Sequence, residues 1–318
     1  MTLAATAVLI ACAAMAGAAY ARAGVYGSNA LLLRGGPVWV DVAPDSLRLS
    51  APMRLALHDP APPAQPGLLV WQTVADGFET SELPVVANGT EVDRVLLARV
   101  DPMRFRFVAR NAPAGNRLLD DWMADAGTVL VINGSHYAED GRPDTPFISD
   151  GAPLGPADYD GTHGAFVASG AFTGIRDLAH DPWQNALAGA RDAMVPYPLL
   201  LDADGVSRAS QSRWLANRSF VVQDADGRIV LGTTTDAFFS LDRLAAFLRA
   251  APLGLRLVLN LDGGPVACQG ITLGSFRRRF CGQWELAERD GQASLLTYRW
   301  GRFSRTGLPI VLAVVRRP

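Results

Sequence analysis

Short apolar runs that stop at a polar residue and a glycine recur along this chain of 318 residues and set its expected architecture. Residues 256–261 read Arg-Leu-Val-Leu-Asn-Leu before Asp262-Gly263-Gly264-Pro265, short enough for a strand buried on both faces. Residues 128–132 repeat the arrangement and run into Asn133-Gly134-Ser135-His136-Tyr137. Arg104, Arg106 and Arg110 alternate with Phe105, Phe107 and Val108, which predicts a half-buried strand with its arginines in solvent. Residues 217–222 and 228–231 flank a glycine-containing turn and predict a hairpin. Further strands are expected at 197–201, 293–299 and 310–316. Leu241, Leu244, Phe247 and Leu248 fall at helical spacing behind Ser240, a candidate N-cap with Asp242 in the first turn. Leu118, Leu119, Trp122 and Met123 give a second helix over 116–126. Residues 138–182, rich in Asp, Gly and Pro, predict a long ordered loop with one short strand at 164–168. The fold class is therefore α+β, a mixed, strand-rich sheet core with a few covering helices, and no internal repeat is visible.

Composition sharpens the boundaries. Residues 3–19 are apolar and alanine-rich, and small residues follow, so 1–23 predicts a signal peptide or an uncleaved N-terminal anchor. Prolines and short apolar pieces make 24–67 a Pro-rich spacer, with a small hairpin around 38–42 and 47–55, ahead of a compact domain over 68–318. The sequence carries 49% hydrophobic and 19% charged residues, ample for a sizeable core. A net charge of -2 offers no basic field, so nucleic acid is not an expected partner, and a membrane is approached only through the N-terminal segment. All 29 basic residues are arginine, so any phosphate contact by a basic side chain other than His is a guanidinium fork. Loss of Cys12 with the signal leaves Cys268 and Cys281, an even pair that an exported protein is expected to join as a disulfide, the alternative being two buried thiols. Export to the periplasm or the medium is the expected localisation.

Candidate chemistry gathers at the strand ends. Asp262 sits where a carboxylate can face a cleft, and Gly263 and Gly264 allow a sharp turn and a close ligand approach; the alternative is an ordinary Asp-Gly turn. Asn133 is either a ligand contact or a turn former. His136 and His163 are hydrogen-bonding groups or substrate contacts, and they have no zinc spacing. The acidic loop lacks the EF-hand pattern, and no cofactor is expected.

Three segments together resemble the phosphodiester glycosidase family. They are Ile132-Asn133-Gly134-Ser135-His136-Tyr137, Asn217-Arg218-Ser219 ahead of a strand, and Asn260-Leu261-Asp262-Gly263-Gly264, the last being the most specific. The similarity extends over about residues 68–318. Two departures stand out: Pro265, Val266 and Ala267 replace a Gly-Ser continuation, and Ser135-His136 replaces small and aromatic residues. The resemblance implies an exported hydrolase that cleaves a sugar from a phosphodiester or related glycosidic link, possible substrates including envelope polysaccharide. Asp262 would supply the catalytic carboxylate, Arg218 would hold the phosphate, and Asp144 is the preferred second carboxylate. Asn133, His136, His163, Gly263 and Gly264 would contact substrate. The departures favour a rival from another class, a catalytically degenerate carbohydrate-binding protein of the same fold, and the acidic loop offers a third reading, a calcium-dependent structural envelope protein.

Overall fold

The computed structural model describes residues 12–15, 37–161, 163–289, 292–298 and 306–317. The expected leader at 1–23 falls outside them apart from 12–15, and among the described residues no helix is long and apolar enough to cross a membrane.

The α+β, strand-rich expectation holds, and every strand pairing among the described residues is antiparallel. A central sheet orders its main strands as Leu199–Leu201, Leu255–Asn260, Ser219–Asp224, Ile229–Thr234, Thr90–Val100 and Phe78–Ala87. Side chains alternate across it. Phe220, Val222, Val230 and Val258 face a cluster that includes Leu244, Phe247 and Leu248 of the helix Leu241–Ala250. Val221, Ile229, Leu231, Leu257 and Leu259 face the other way, onto Leu130, Ile132, Ile271, Leu312 and Val314. These last belong to a second sheet, ordered Phe276–Cys281, Cys268–Leu273, Thr128–Asn133, Ile310–Arg316 and Phe105–Asn111. The molecule is thus layered as helix, sheet and sheet, with apolar cores on both faces of the central sheet.

Several expectations are corrected. The segment assigned to a spacer is part of the packed structure: Pro37–Val42 pairs with Gln292–Tyr298, and Val42, Leu49, Met53, Ala56 and Leu57 are buried in the helix-side core. The hairpin expected there is a strand followed by the helix Ala51–Ala56, which the Ser50 hydroxyl caps by accepting from the Met53 N–H at 3.2 Å. Residues 138–182 are not one loop with one strand. Phe147–Ser149, Ala152–Leu154, Gly164–Ala168 and Thr173–Asp177 join Asp192–Met194 in a third sheet. The helix expected over 116–126 shrinks to Leu119–Met123, because the Asp121 carboxylate accepts from the Leu118 N–H at 2.8 Å and fixes the first turn there. Of the three arginines expected in solvent, Arg104 is exposed, whereas Arg110 is only about one-third exposed and meets the buried Asp192 at 3.1 Å. The Arg106 Nε is buried.

Candidate active site

Asp262 is positioned by its strand and by both neighbours of that strand. On one side Phe220 pairs with Asn260, and the Leu261 N–H donates to Ser219 O at 2.9 Å, which brings Arg218 alongside. On the other side Leu199 pairs with Leu259 and the Asn260 amide donates to Tyr197 O at 2.8 Å, which delivers Tyr197. The second sheet closes the site from below. The Asp262 N–H donates to Gly134 O at 3.0 Å, and the Asn133 amide donates to Asp262 O at 2.7 Å.

Asn133 is buried, and its Oδ1 also accepts from the Cys268 N–H at 3.1 Å. Its side chain therefore braces the Asp262 loop and the disulfide strand from within. Gly263 and Gly264 serve packing of a similar kind: a Cβ on Gly263 would lie 2.9 Å from Asn217 O, and one on Gly264, at φ +67°, would strike a Glu285 carboxylate oxygen. Pro265 occupies a single 3-10 turn over Gly264–Val266 and is buried.

One wall of the site is aromatic and acidic. His136 stacks on Tyr197 with ring centroids 4.0 Å apart, and its Nε2 lies 3.9 Å from Asp262 Oδ1. The Tyr197 hydroxyl donates to Asp144 Oδ2 at 3.1 Å, and His163 tilts against Tyr197 with ring centroids 5.5 Å apart. Burial holds His136 down at about 4, with the Asp144 charge opposing and the Arg218 charge reinforcing the shift. The imidazole is therefore neutral near pH 7, a hydrogen-bonding group and a poor proton donor. His163 is also lowered, first by burial and then by His136.

The opposite wall carries the cation. Arg218 is buried; its Nε donates to Phe239 O at 3.2 Å and its Nη2 to Trp214 O, while Nη1 lies beside Gly263. Burial lowers it to about 10, against the opposing charges of Glu285 and Asp262, so it stays cationic near neutrality. Glu285 is a carboxylate that no local pattern singles out. It opens the strand Glu285–Arg289, accepts from the Trp214 indole N–H at 3.1 Å, and is pushed up to about 7 by burial and by the Asp262 charge. Its one sequence signal is its place immediately after Trp284 at the start of a strand. Asp262 is likewise pushed up to about 7, chiefly by burial; the Gly263 N–H at 2.8 Å opposes the shift, the Asp144 charge adds to it and Arg218 offsets it.

Asn133, His136, Asp144, Arg218, Gly263 and Gly264 thus gather around Asp262, Asn133 and the two glycines as its packing support, while His163 joins through Tyr197 and His136. Cys268 and Cys281, partners across adjacent strands, form the disulfide. Among the described residues no three His, Cys, Asp or Glu side chains group as metal ligands.

Residues 126–268 match the family model described as phosphodiester glycosidase. Among solved structures, the catalytic domain of zebrafish N-acetylglucosamine-1-phosphodiester alpha-N-acetylglucosaminidase, auto-inhibited by its pro-peptide, is similar at 14% identity and a TM-score of 0.48, over 89% of this chain and 90% of that one. A hypothetical protein from Synechocystis is similar at 14% identity and 0.45, over 79% of this chain and 64% of that one. A putative exported protein from Burkholderia pseudomallei is similar at 12% identity and 0.41, over 74% of each chain. No curated protein matches the sequence.

Proposed function

We propose, from the match of residues 126–268 to the phosphodiester glycosidase family model, that the chain is a hydrolase releasing a sugar from a phosphodiester or related glycosidic linkage. The observation that carries this reading is the meeting of two carboxyls, Asp262 and Glu285, both held near 7, with the buried cation Arg218 between their strands. Glycosyl transfer to water needs one ionised carboxylate and one protonated carboxyl, and groups that titrate near the working pH suit both tasks. Asp262 supports charge at the anomeric carbon or activates water. Glu285, raised to about 7 beside Arg218, supplies the proton on the leaving side. Arg218 stabilises the departing phosphate, a contact strengthened by its removal from solvent. The disulfide supports an oxidising compartment, and we propose an exported enzyme that meets its substrate in the periplasm or outside the cell, with envelope polysaccharide a candidate.

A second reading, a carbohydrate-binding protein without turnover, is favoured by Pro265 in the buried turn beside Asp262. Hydrolysis of a panel of sugar 1-phosphodiesters separates the two. The expected result is turnover that Asp262→Asn lowers by about 100- to 10,000-fold while the melting transition is kept, with Arg218→Lys also impaired because an ammonium cannot span Phe239 O and Trp214 O together. Binding of the same panel with no turnover between acid and alkaline pH would reject the enzyme in favour of the second reading.

A further inference from the structure

Glu285 and Arg218 are held by one and the same residue. Trp214 precedes the two-residue strand Leu215–Ala216, which pairs with Glu285–Arg289 so that Ala216 lies opposite Glu285. Two residues before Ala216, Trp214 projects to the same side, diagonal to Glu285. Its indole N–H donates to Glu285 Oε1 at 3.1 Å, and its backbone carbonyl accepts from Arg218 Nη2. Among the described residues the indole is the one hydrogen-bond donor to that carboxyl. Asn217 fixes the backbone ahead of Glu285, its Oδ1 accepting from the Gln283 and Trp284 N–H groups at 2.9 Å each. The Trp214 ring also meets Trp39, edge to face, with centroids 5.7 Å apart and planes at 84°. Trp39 belongs to Pro37–Val42, the strand at the opposite edge of the same four-stranded sheet.

Resting on the proposed function, in which Glu285 and Arg218 serve the leaving side, we infer that Trp214 is a positioning residue for both groups and that Trp39 buttresses its indole. An oxygen that accepts an N–H is the poorer place for the carboxyl proton, so the bond to Oε1 leaves that proton on Oε2. Oε2 faces the turn that follows Asp262, where a Cβ on Gly264 would lie 2.3 Å from it. Trp214 thus selects the oxygen of Glu285 that delivers the proton and turns it toward the Asp262 loop. The same bond favours the ionised carboxyl, with the Arg218 charge beside it and against burial and the Asp262 charge. On Arg218 the Trp214 carbonyl works with Phe239 O, 3.2 Å from Nε, to fix the plane of the fork. Trp39 lies outside residues 126–268, so the N-terminal strand sets part of the geometry of the site.

The test uses the full chain and the panel of sugar 1-phosphodiesters. Trp214→Phe keeps an aromatic ring and the backbone carbonyl but removes the N–H. The expected result is a loss in kcat of about tenfold with KM changed by less than about twofold. The alkaline limb of the pH profile should move up by about one pH unit, since a carboxylate deprived of a donor holds its proton longer. In a Glu285→Gln background the same substitution should cost less than about twofold, because its effect passes through the Glu285 proton. Trp39→Ala, at a residue 45% exposed, should lower kcat by about threefold and move the limb in the same direction. A readout independent of turnover is the titration of Glu285 by NMR in a chain labelled with 13C at its glutamate carboxyls, the resonance being assigned with Glu285→Gln. Its midpoint should rise in Trp214→Phe. An unmoved midpoint, a KM that rises at constant kcat, or an equal cost in the Glu285→Gln background overturns the positioning role. A midpoint that rises in a chain without any turnover keeps the hold on Glu285 and removes the hydrolase, whereas turnover with limb and midpoint unmoved removes the positioning role alone. Should Trp214→Phe fail to melt cooperatively, Trp39→Ala carries the same comparison.

Discussion

Asp93 is 5% exposed, and its two carboxylate oxygens are treated very differently by the fold. Oδ1 accepts from the backbone N–H groups of Arg94, Thr235 and Asp236 and from the Thr235 hydroxyl, whereas Oδ2 is buried without a partner. Burial dominates those bonds and pushes the carboxyl up to about 8. In the unfolded chain the same group loses its proton near 4, so between about 4 and 8 the native state holds a proton that the unfolded state has released. Native stability therefore falls as pH rises through this window. Asp93→Asn keeps the accepting oxygen and removes the titration. The wild-type protein should lose up to about 1.4 kcal/mol per pH unit at this site, and the variant should be the more stable of the two at pH 8. Chemical denaturation at a series of pH values reads this directly, and identical slopes for the two proteins would refute it. Asp262 and Glu285, both raised to about 7, act with the same sign, so part of the slope should persist in the variant. The residue scale is also where the sequence was least transparent. Asn133 and Asp262 are 129 positions apart, and nothing local announces that the Asn133 amide ends on the Asp262 carbonyl. Glu285 becomes a site residue only because the Gly264 turn and Trp214 close around it.

Among elements, the best test is the hairpin of Cys268–Leu273 and Phe276–Cys281. Its first strand pairs with Thr128–Asn133, and its disulfide closes a loop with a sequence separation of 13. Replacing both cysteines by alanine is expected to cost about 3 kcal/mol, seen as an earlier midpoint in urea with an increased denaturant slope as the unfolded chain expands. Because Cys268 N–H holds Asn133 Oδ1, hydrogen exchange should also quicken at Cys268 and along the Asp262 loop. An unchanged midpoint would show that strand pairing alone holds the hairpin. Elements with enough length to express a period were legible. Leu244, Phe247 and Leu248 announce the helix Leu241–Ala250, and the strands Leu255–Asn260 and Ile310–Arg316 stand out as apolar runs. Of the third sheet only Gly164–Ala168 was legible, because strands such as Phe147–Ser149 and Asp192–Met194 have only three residues and show no alternation. Their pairing depends on partners supplied from distant parts of the chain.

At the scale of the whole molecule, the segment before Leu68 supplies part of the helix-side core. Val42, Leu49, Met53 and Leu57 are each no more than 7% exposed and pack with the helix and with Leu286 and Leu295. Polar ties reinforce the contact: the Ser50 hydroxyl donates to Asp236 at 2.6 Å, Arg213 donates to Leu57 O at 2.7 Å, and Arg243 donates to Ala56 O at 3.0 Å. Proline-rich surroundings hid this role, because the apolar residues are spaced too irregularly to form a recognisable stripe and only the tertiary fold brings them to one surface. Burying four such side chains contributes about 6 to 12 kcal/mol, as large as the whole stability of an ordinary domain. A chain beginning at Leu68 should therefore be aggregated or molten, while one beginning at Gly24 should unfold cooperatively. Near-ultraviolet circular dichroism and size-exclusion chromatography distinguish these states. If the shorter chain instead melted as sharply and at the same temperature as the longer one, the N-terminal segment would be an appendage.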